Sequence, residues 1–237
     1  MRGCLFTIAL AAVIVALIVF IGLPAVAAGL LTAGVKAAGL QANDITVNVT
    51  SDPPWNLVGL HADRVRIRAT SATFRGLQIS ALDVTLLNVS VVDRAANGVA
   101  GRLTGVTIPN VAGQPLGLEA INLAGGGDQV TATTTVATAD AQALVAAEVA
   151  SVTGVTIPAT AVHLSAPNKV VVKAVVTITA VLSVDANGNL VATASGIPPV
   201  TLLRAGEDVP MKFTSVKVDA QGNVVLAGVL AVGLLGG

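Results

Sequence analysis

The chain is predicted to fold as a β-rich α+β domain. A long, curved, mostly antiparallel sheet is expected to wrap around one or two amphipathic helices and enclose an apolar groove. Three observations predict this. Apolar residues make up 54% of the chain and aromatics 2%, with no tyrosine, so any core is aliphatic and rich in the β-branched residues that suit strands. Successive segments alternate apolar and polar residues with period two. One well-defined segment of the exported portion carries a helical period instead.

The elements follow in order. Met1-Arg2-Gly3 gives a short positive start, and Cys4 to Leu23 is a continuous, mostly apolar run. Twenty helical residues span about 30 Å, the thickness of the hydrocarbon core. Pro24 stops the run, and "PAVAAG" offers small residues at Ala25 and Ala27 with cleavage-site spacing. Residues 1–28 therefore read as an N-terminal membrane anchor or a signal peptide, and residues 29–237 as an exported β-rich domain outside the cytoplasm. Cys4 is the only cysteine, so the exported part has neither a disulfide nor a thiol nucleophile.

Ile45, Val47 and Val49 alternate with Thr46 and Asn48 as a first strand, broken by Pro53-Pro54. Arg64, Arg66 and Arg68 alternate with Val65, Ile67 and Ala69 in the cleanest two-sided strand. Gly76 to Asp93 reads as a long strand or strand pair whose register shifts near Ala81-Leu82, which suggests a bulge. Strand-like runs follow at Arg102–Ile108, Leu116–Leu123 and Val130–Val136. Thr138 to Gly154 reads as a helix with an apolar stripe of Leu144, Val145, Val149 and Val152, an N-cap at Asp140 and a stop at Gly154. Strands resume at Val155–Ser165, Lys169–Val184, Asn189–Ser195, Phe213–Val218 and from Val224 onward. Two hairpins share a V-D-A-x-G-N-x-V pattern, starting at Val184 and Val218. The string "TGVTIP" also recurs, at Thr104 and Thr153. These echoes fit either two related halves or drift within a Val/Thr/Ala vocabulary.

Few residues of the chain are arranged for chemistry. Thirteen acids balance thirteen bases, so no global field favours nucleic acid. His61 and His163 lie far apart without further His or Cys neighbours, which leaves no metal site. No Gly-x-Ser-x-Gly elbow is present, and "GGGD" at Gly125–Asp128 lacks the lysine of a phosphate-binding loop. Glu207-Asp208 reads as a solvated loop. The expectation is a protein that is not an enzyme, with no catalytic residues, no metal and no cofactor.

One stretch stands apart, "SDPPWNLVGLHADRVRIRA" from Ser51 to Ala69. On a strand, Arg64, Arg66 and Arg68 share one side over about 13 Å. They are candidates for binding phosphate headgroups at the rim of an apolar groove, and equally read as one wet strand face. Trp55 is a candidate membrane contact or a core plug.

An exported apolar leader, "ITVNV", Pro-Pro-Trp-x-Leu, "GLHADRVRIRA", "GLQISALDVTLLNV", a helix near "AQALVAAEV" and paired C-terminal hairpins come in that order. Together they resemble the LmeA-like family of phospholipid-binding envelope proteins, over roughly Ala37 to Leu230. The resemblance implies non-catalytic binding of phospholipid or another acyl lipid at the cell envelope. It also implies a supporting role in lipid or lipoglycan homeostasis. The membrane itself would be engaged through residues 4–23. The alternative is a structural or adhesive envelope β-sandwich without a lipid cavity.

Overall fold

A computed structural model describes residues 40–52, 56, 61–74, 77–90, 95–126, 129–174, 176–206, 208–209 and 211–230. The apolar run at 4–23, the boundary at 28 and Trp55 lie outside the described residues. The chain is β-rich, with two antiparallel sheets and, among the described residues, one α-helix.

In the larger sheet β1 (Leu40–Gln41) and β2 (Asp44–Thr50) both pair with β3 (His61–Phe74). The meander continues through β4 (Leu77–Ser90), β5 (Ala95–Val111), β6 (Gln114–Gly126) and β7 (Gln129–Val136). The helix α1 (Thr138–Thr153) and a 3-10 turn (Ala159–Ala161) follow. The smaller sheet is a meander of β8 (Val162–Ser165), β9 (Lys169–Lys173), β10 (Thr177–Val184), β11 (Leu190–Ala194) and β12 (Ile197–Leu203). The chain then returns to the larger sheet, where β14 (Val224–Leu230) lies between β7 and β13 (Met211–Val218). Buried side chains of both sheets and α1 form one continuous hydrophobic cluster, aliphatic apart from Met211 and Phe213.

Alternation decides which face is wet. One row across the large sheet reads Thr46, Arg68, Asp83, Arg102, Asn122, Thr133, Ala227 and Ser215. The next row, on the other face, reads Val47, Ile67, Val84, Gly101, Leu123, Ala132, Gly228 and Phe213. Burying the second row and wetting the first is the only register that keeps both kinds of side chain in their preferred solvent.

The pattern slips at two transverse lines. Ser71, Ser80 and Gly105 are level with one another on β3, β4 and β5, and Asn88 is level with Asp63. Ser71 (φ 49), Asn88 (φ 48) and Gly105 (φ 58) have left-handed backbones. Each line leaves two consecutive exposed residues between buried ones, as between Ala69 and Ala72 or Leu86 and Val89. The expected shift in β4 falls at Ser80–Ala81, a residue or two early. It is not a bulge in one strand: β3, β4 and β5 slip together there, so their pairing survives while the pleat changes phase and the sheet bends. A Cβ at Gly105 would run into the Ser80 side chain, whose hydroxyl donates to the Gly105 carbonyl at 3.3 Å.

Both predicted hairpins form, and they share one hydrogen-bond pattern. Asp185 Oδ1 accepts the N–H groups of Asn187 and Asn189, each at 2.8 Å, and Asn189 Nδ2 donates to Asp185 Oδ2 at 2.8 Å. Asp219 repeats this with Gln221 (2.9 Å), Asn223 (2.8 Å) and the Asn223 amide (3.0 Å). Gly188 and Gly222 supply the positive φ, 84° and 87°. Each asparagine then uses Oδ1 on distant chain: Asn189 accepts from Ala205 N–H at 2.9 Å, and Asn223 from Thr138 N–H at 3.1 Å. The "TGVTIP" echo does not behave this way. Its first copy lies within β5, and its second runs from the last helical residue into coil. The same six residues adopt two structures, so that echo is not a structural repeat.

This arrangement corrects the expected N-cap. Ala137 occupies the cap position without a side-chain bond, and Asp140 lies in the first turn. Asn223 satisfies the free Thr138 N–H instead, and Thr138 Oγ1 donates to Gln221 O at 3.1 Å. Gly154 stops the helix as expected, in the left-handed conformation with its N–H on Ala150 O.

Thr134 is an isolated polar group in the buried row beside Leu226. It is 2% exposed, and its hydroxyl has no partner. The isosteric change Thr134→Val is expected to raise stability by about 1 kcal/mol, because a desolvated hydroxyl with no acceptor is lost. The urea midpoint measures it.

Candidate functional site

The arginine ladder forms on β3 with the expected orientation. Val65, Ile67 and Ala69 are 0%, 1% and 2% exposed on one side, while Arg64 and Arg68 are exposed and Arg66 is half-buried on the other. Sequence reasoning missed its partner. Asp83 on β4 lies opposite Arg68 and takes Arg66 through two bonds, Nε to Oδ1 at 2.8 Å and Nη2 to Oδ2 at 2.6 Å. Arg68 Nε adds a third at 3.2 Å. Arg102 on β5 flanks Asp83 from the other side of the same row. The Arg66 hydrogen bonds hold the Asp83 carboxyl below its ordinary value against a small opposing cost of burial.

A lowered carboxyl stabilises the fold above its unfolded value near 4, and that contribution is lost as pH falls through the folded value. The pair is solvent-exposed, so the effect is small. Asp83→Asn is expected to leave the thermal midpoint almost unchanged at pH 7, and the slight gap to wild type should close below about pH 4. Thermal scans across that range check it.

The second feature is an apolar groove between α1 and the small sheet. Val145, Val149 and Val152 form its roof, and Ala180, Ala192 and Ala194 its floor. The floor is low because register places three alanines together on the inner face of β10 and β11, with Ala180 directly opposite Ala194. The groove measures about 620 Å³ counted to its open mouth, with an inner hollow of about 80 Å³. Its lining is aliphatic except for Thr153 at the lip. The N-terminal half of α1 is packed differently: Ala141 and Leu144 close over Leu182 and Leu226, leaving about 10 Å³.

Glu148 lies one helical turn from both Val145 and Val152, beside this groove. Its partial burial pushes the carboxyl up, assisted by Asp208 and opposed by the Ser151 hydroxyl and Arg204. Among the described residues no group of three or more His, Cys, Asp or Glu could hold a metal ion. His61 and His163 are in different sheets, on β3 and β8.

The geometry corrects one part of the sequence reading. The ladder does not rim the groove. It projects from the outer face of the large sheet, whereas α1 packs on the inner face near Val136, Val224 and Leu226. No residue of β2, β3 or β4 lines the groove. Register alone explains this, since the side of β3 that carries arginine is the side turned from the core.

No family model, no curated protein and no solved structure matches the chain.

Proposed function

We propose that this protein binds the acyl chain of a phospholipid or another acyl lipid, without catalysis, in the groove between α1 and the small sheet. We place that role at the cell envelope, as in the LmeA-like proteins the sequence resembles. The observation that carries the reading is the groove itself: an open, aliphatic channel over an alanine floor. Ligand sites are normally marked by a few convergent polar groups that fix orientation. Here the lining offers one threonine, which suits a ligand recognised by its hydrocarbon.

The inner hollow takes only a few methylene groups at rest. The rest of a chain must lie along the open floor or spread α1 from the sheet. Helix α1 is held mainly at its N-terminal half, by Asn223 and Gln221 at Thr138 and by Gln142 Nε2 on Val162 O at 2.7 Å. Its C-terminal half lies over the hollow and can tilt without breaking those bonds. Each enclosed methylene contributes about 0.8 kcal/mol, so a 16-carbon chain gains on the order of 12 kcal/mol if wholly covered.

The test is photo-crosslinking. A diazirine-bearing fatty acid is added to the full chain, and adducts are mapped by mass spectrometry. Adducts on 145–153 and 178–202 support the groove. Adducts confined to 4–23 or to the outer face of the large sheet would overturn it.

A further inference from the structure

We infer that the open end of the small sheet is a membrane-docking rim, which places the groove mouth against a lipid surface. This rests on the acyl-chain reading above and deepens it, since a chain must reach the groove from a bilayer. Three segments meet at that end. The β9–β10 turn follows Lys173, the β11–β12 turn precedes Ile197, and α1 ends at Thr153. Antiparallel pairing puts both turns on one end, and Val152, Thr153, Ile178, Ile197 and Pro198 line the groove there.

This end is apolar where a surface is normally wet. Among the described residues, six large aliphatics are conspicuously exposed, and four of them lie here: Val152 (62%), Val155 (56%), Val176 (68%) and Ile197 (39%). Pro198 and Pro199 are exposed beside them. The flanking charge is also one-sided. Stretches 149–161, 170–184 and 189–203 contain no acidic residue and one base, Lys173; the nearest carboxylate along α1 is Glu148, one turn before Val152. An apolar tip with a lysine and no carboxylate matches an anionic bilayer: the aliphatics enter the acyl boundary while the ammonium meets headgroup phosphate. The proline pair also strips backbone donors from the β12 edge, which opposes pairing with another strand.

The experiment uses the full chain with Cys4→Ser and single cysteines V155C, V176C or V181C, each labelled with an environment-sensitive fluorophore. Val181 is exposed on the opposite face of β10 and is the control. In phosphatidylcholine/phosphatidylglycerol vesicles, labels at 155 and 176 should shift to the blue and be quenched roughly twofold by nitroxide lipids, while the label at 181 does not change. Labels at 155 and 176 as wet as the label at 181 in protein-loaded vesicles would overturn the rim. So would a blue shift without vesicles that grows with protein concentration, which would mean a second copy covers it. The groove is scored separately: adducts in the groove with a wet rim sink this inference alone, and an inserted rim without groove adducts sinks the acyl-chain reading alone.

Discussion

Ala194→Phe is expected to weaken fatty-acid binding roughly a hundred-fold. The alanine floor is the reason a hollow exists, and Ala194 lies on it beside Ala180 and opposite Ile197. A phenyl ring there occupies the space of about four methylenes, which removes about 3 kcal/mol of chain burial. Ala194 is only half-buried, so the ring can lean toward the mouth, and stability should change by no more than about 1 kcal/mol. Titration with a fluorescent 16-carbon fatty acid reads the affinity, and a urea melt reads the fold. Unchanged affinity in a folded variant would place the ligand elsewhere.

Asn223→Ala is expected to cost about 2 kcal/mol of stability, the largest loss from a single surface-turn residue. Two functions end together. The hairpin loses the amide that braces Asp219, and the Thr138 N–H at the head of α1 loses its acceptor, while the Thr138 hydroxyl keeps the Gln221 carbonyl. Because Thr138 anchors the half of α1 that does not roof the groove, the variant should also bind acyl chains with a shallower dependence on chain length. Asn189→Ala should cost less, since its Oδ1 serves the Ala205 N–H in a tight turn and not the head of a helix. Equal losses in urea melts of the two variants would show that the helix contact contributes nothing. Acid should weaken both hairpins. Backbone and side-chain donors of Asn189 hold Asp185 below its ordinary value. Around Asp219 desolvation pushes upward but is outweighed by donors from Asn223, Gln221 and Gly222. Both contributions are therefore present above about pH 4 and fade below it.

Much of the fold was legible because the sequence alternates so cleanly. The run from Arg64 to Ala69 specifies its own faces, and V-D-A-x-G-N-x-V announces a positive-φ turn wherever it occurs. What was illegible depended on other parts of the chain. Ile197–Leu203 is a strand that the sequence reading does not include; Pro198-Pro199 obscures it, yet an edge strand needs donors on one side only. Lys169–Val184 reads as one strand because the sequence Ala174-Val175-Val176 contains no glycine, proline or asparagine, whereas β9 ends at Lys173 and β10 starts at Thr177. Conversely, Val155–Ser165 shortens to Val162–Ser165 behind Pro158 and a 3-10 turn. β14 is central in the sheet but alternates buried and half-buried, and residues 231–237 lie outside the described residues.

The sites show the same division. Arg64, Arg66 and Arg68 could be assigned to one face, but no local pattern says that Asp83 arrives beside them, because cross-strand register is a property of the pair. The sequence reading expects a groove enclosed where a long sheet wraps around the helices, not a hollow between α1 and the small sheet. Its floor is three alanines that look unremarkable in "TITAVLSV" and "LVATA", and they become a channel only when β10 and β11 align.

The position of β14 between β7 and β13 sets an order of events for the growing chain. Strands β3 to β7 pair with their immediate neighbours and can form as each is made. The free edge of β7 cannot be closed until α1 and the whole small sheet have been synthesised, because its partner is the last described strand. For that interval a row of unpaired Thr and Val backbone groups, Gln129 to Val136, is an open template for any other strand. Premature termination before Val224 would therefore yield an aggregating product and not a smaller domain. Completing the C-terminal hairpin both seals that edge and, through Asn223, locks the head of the helix.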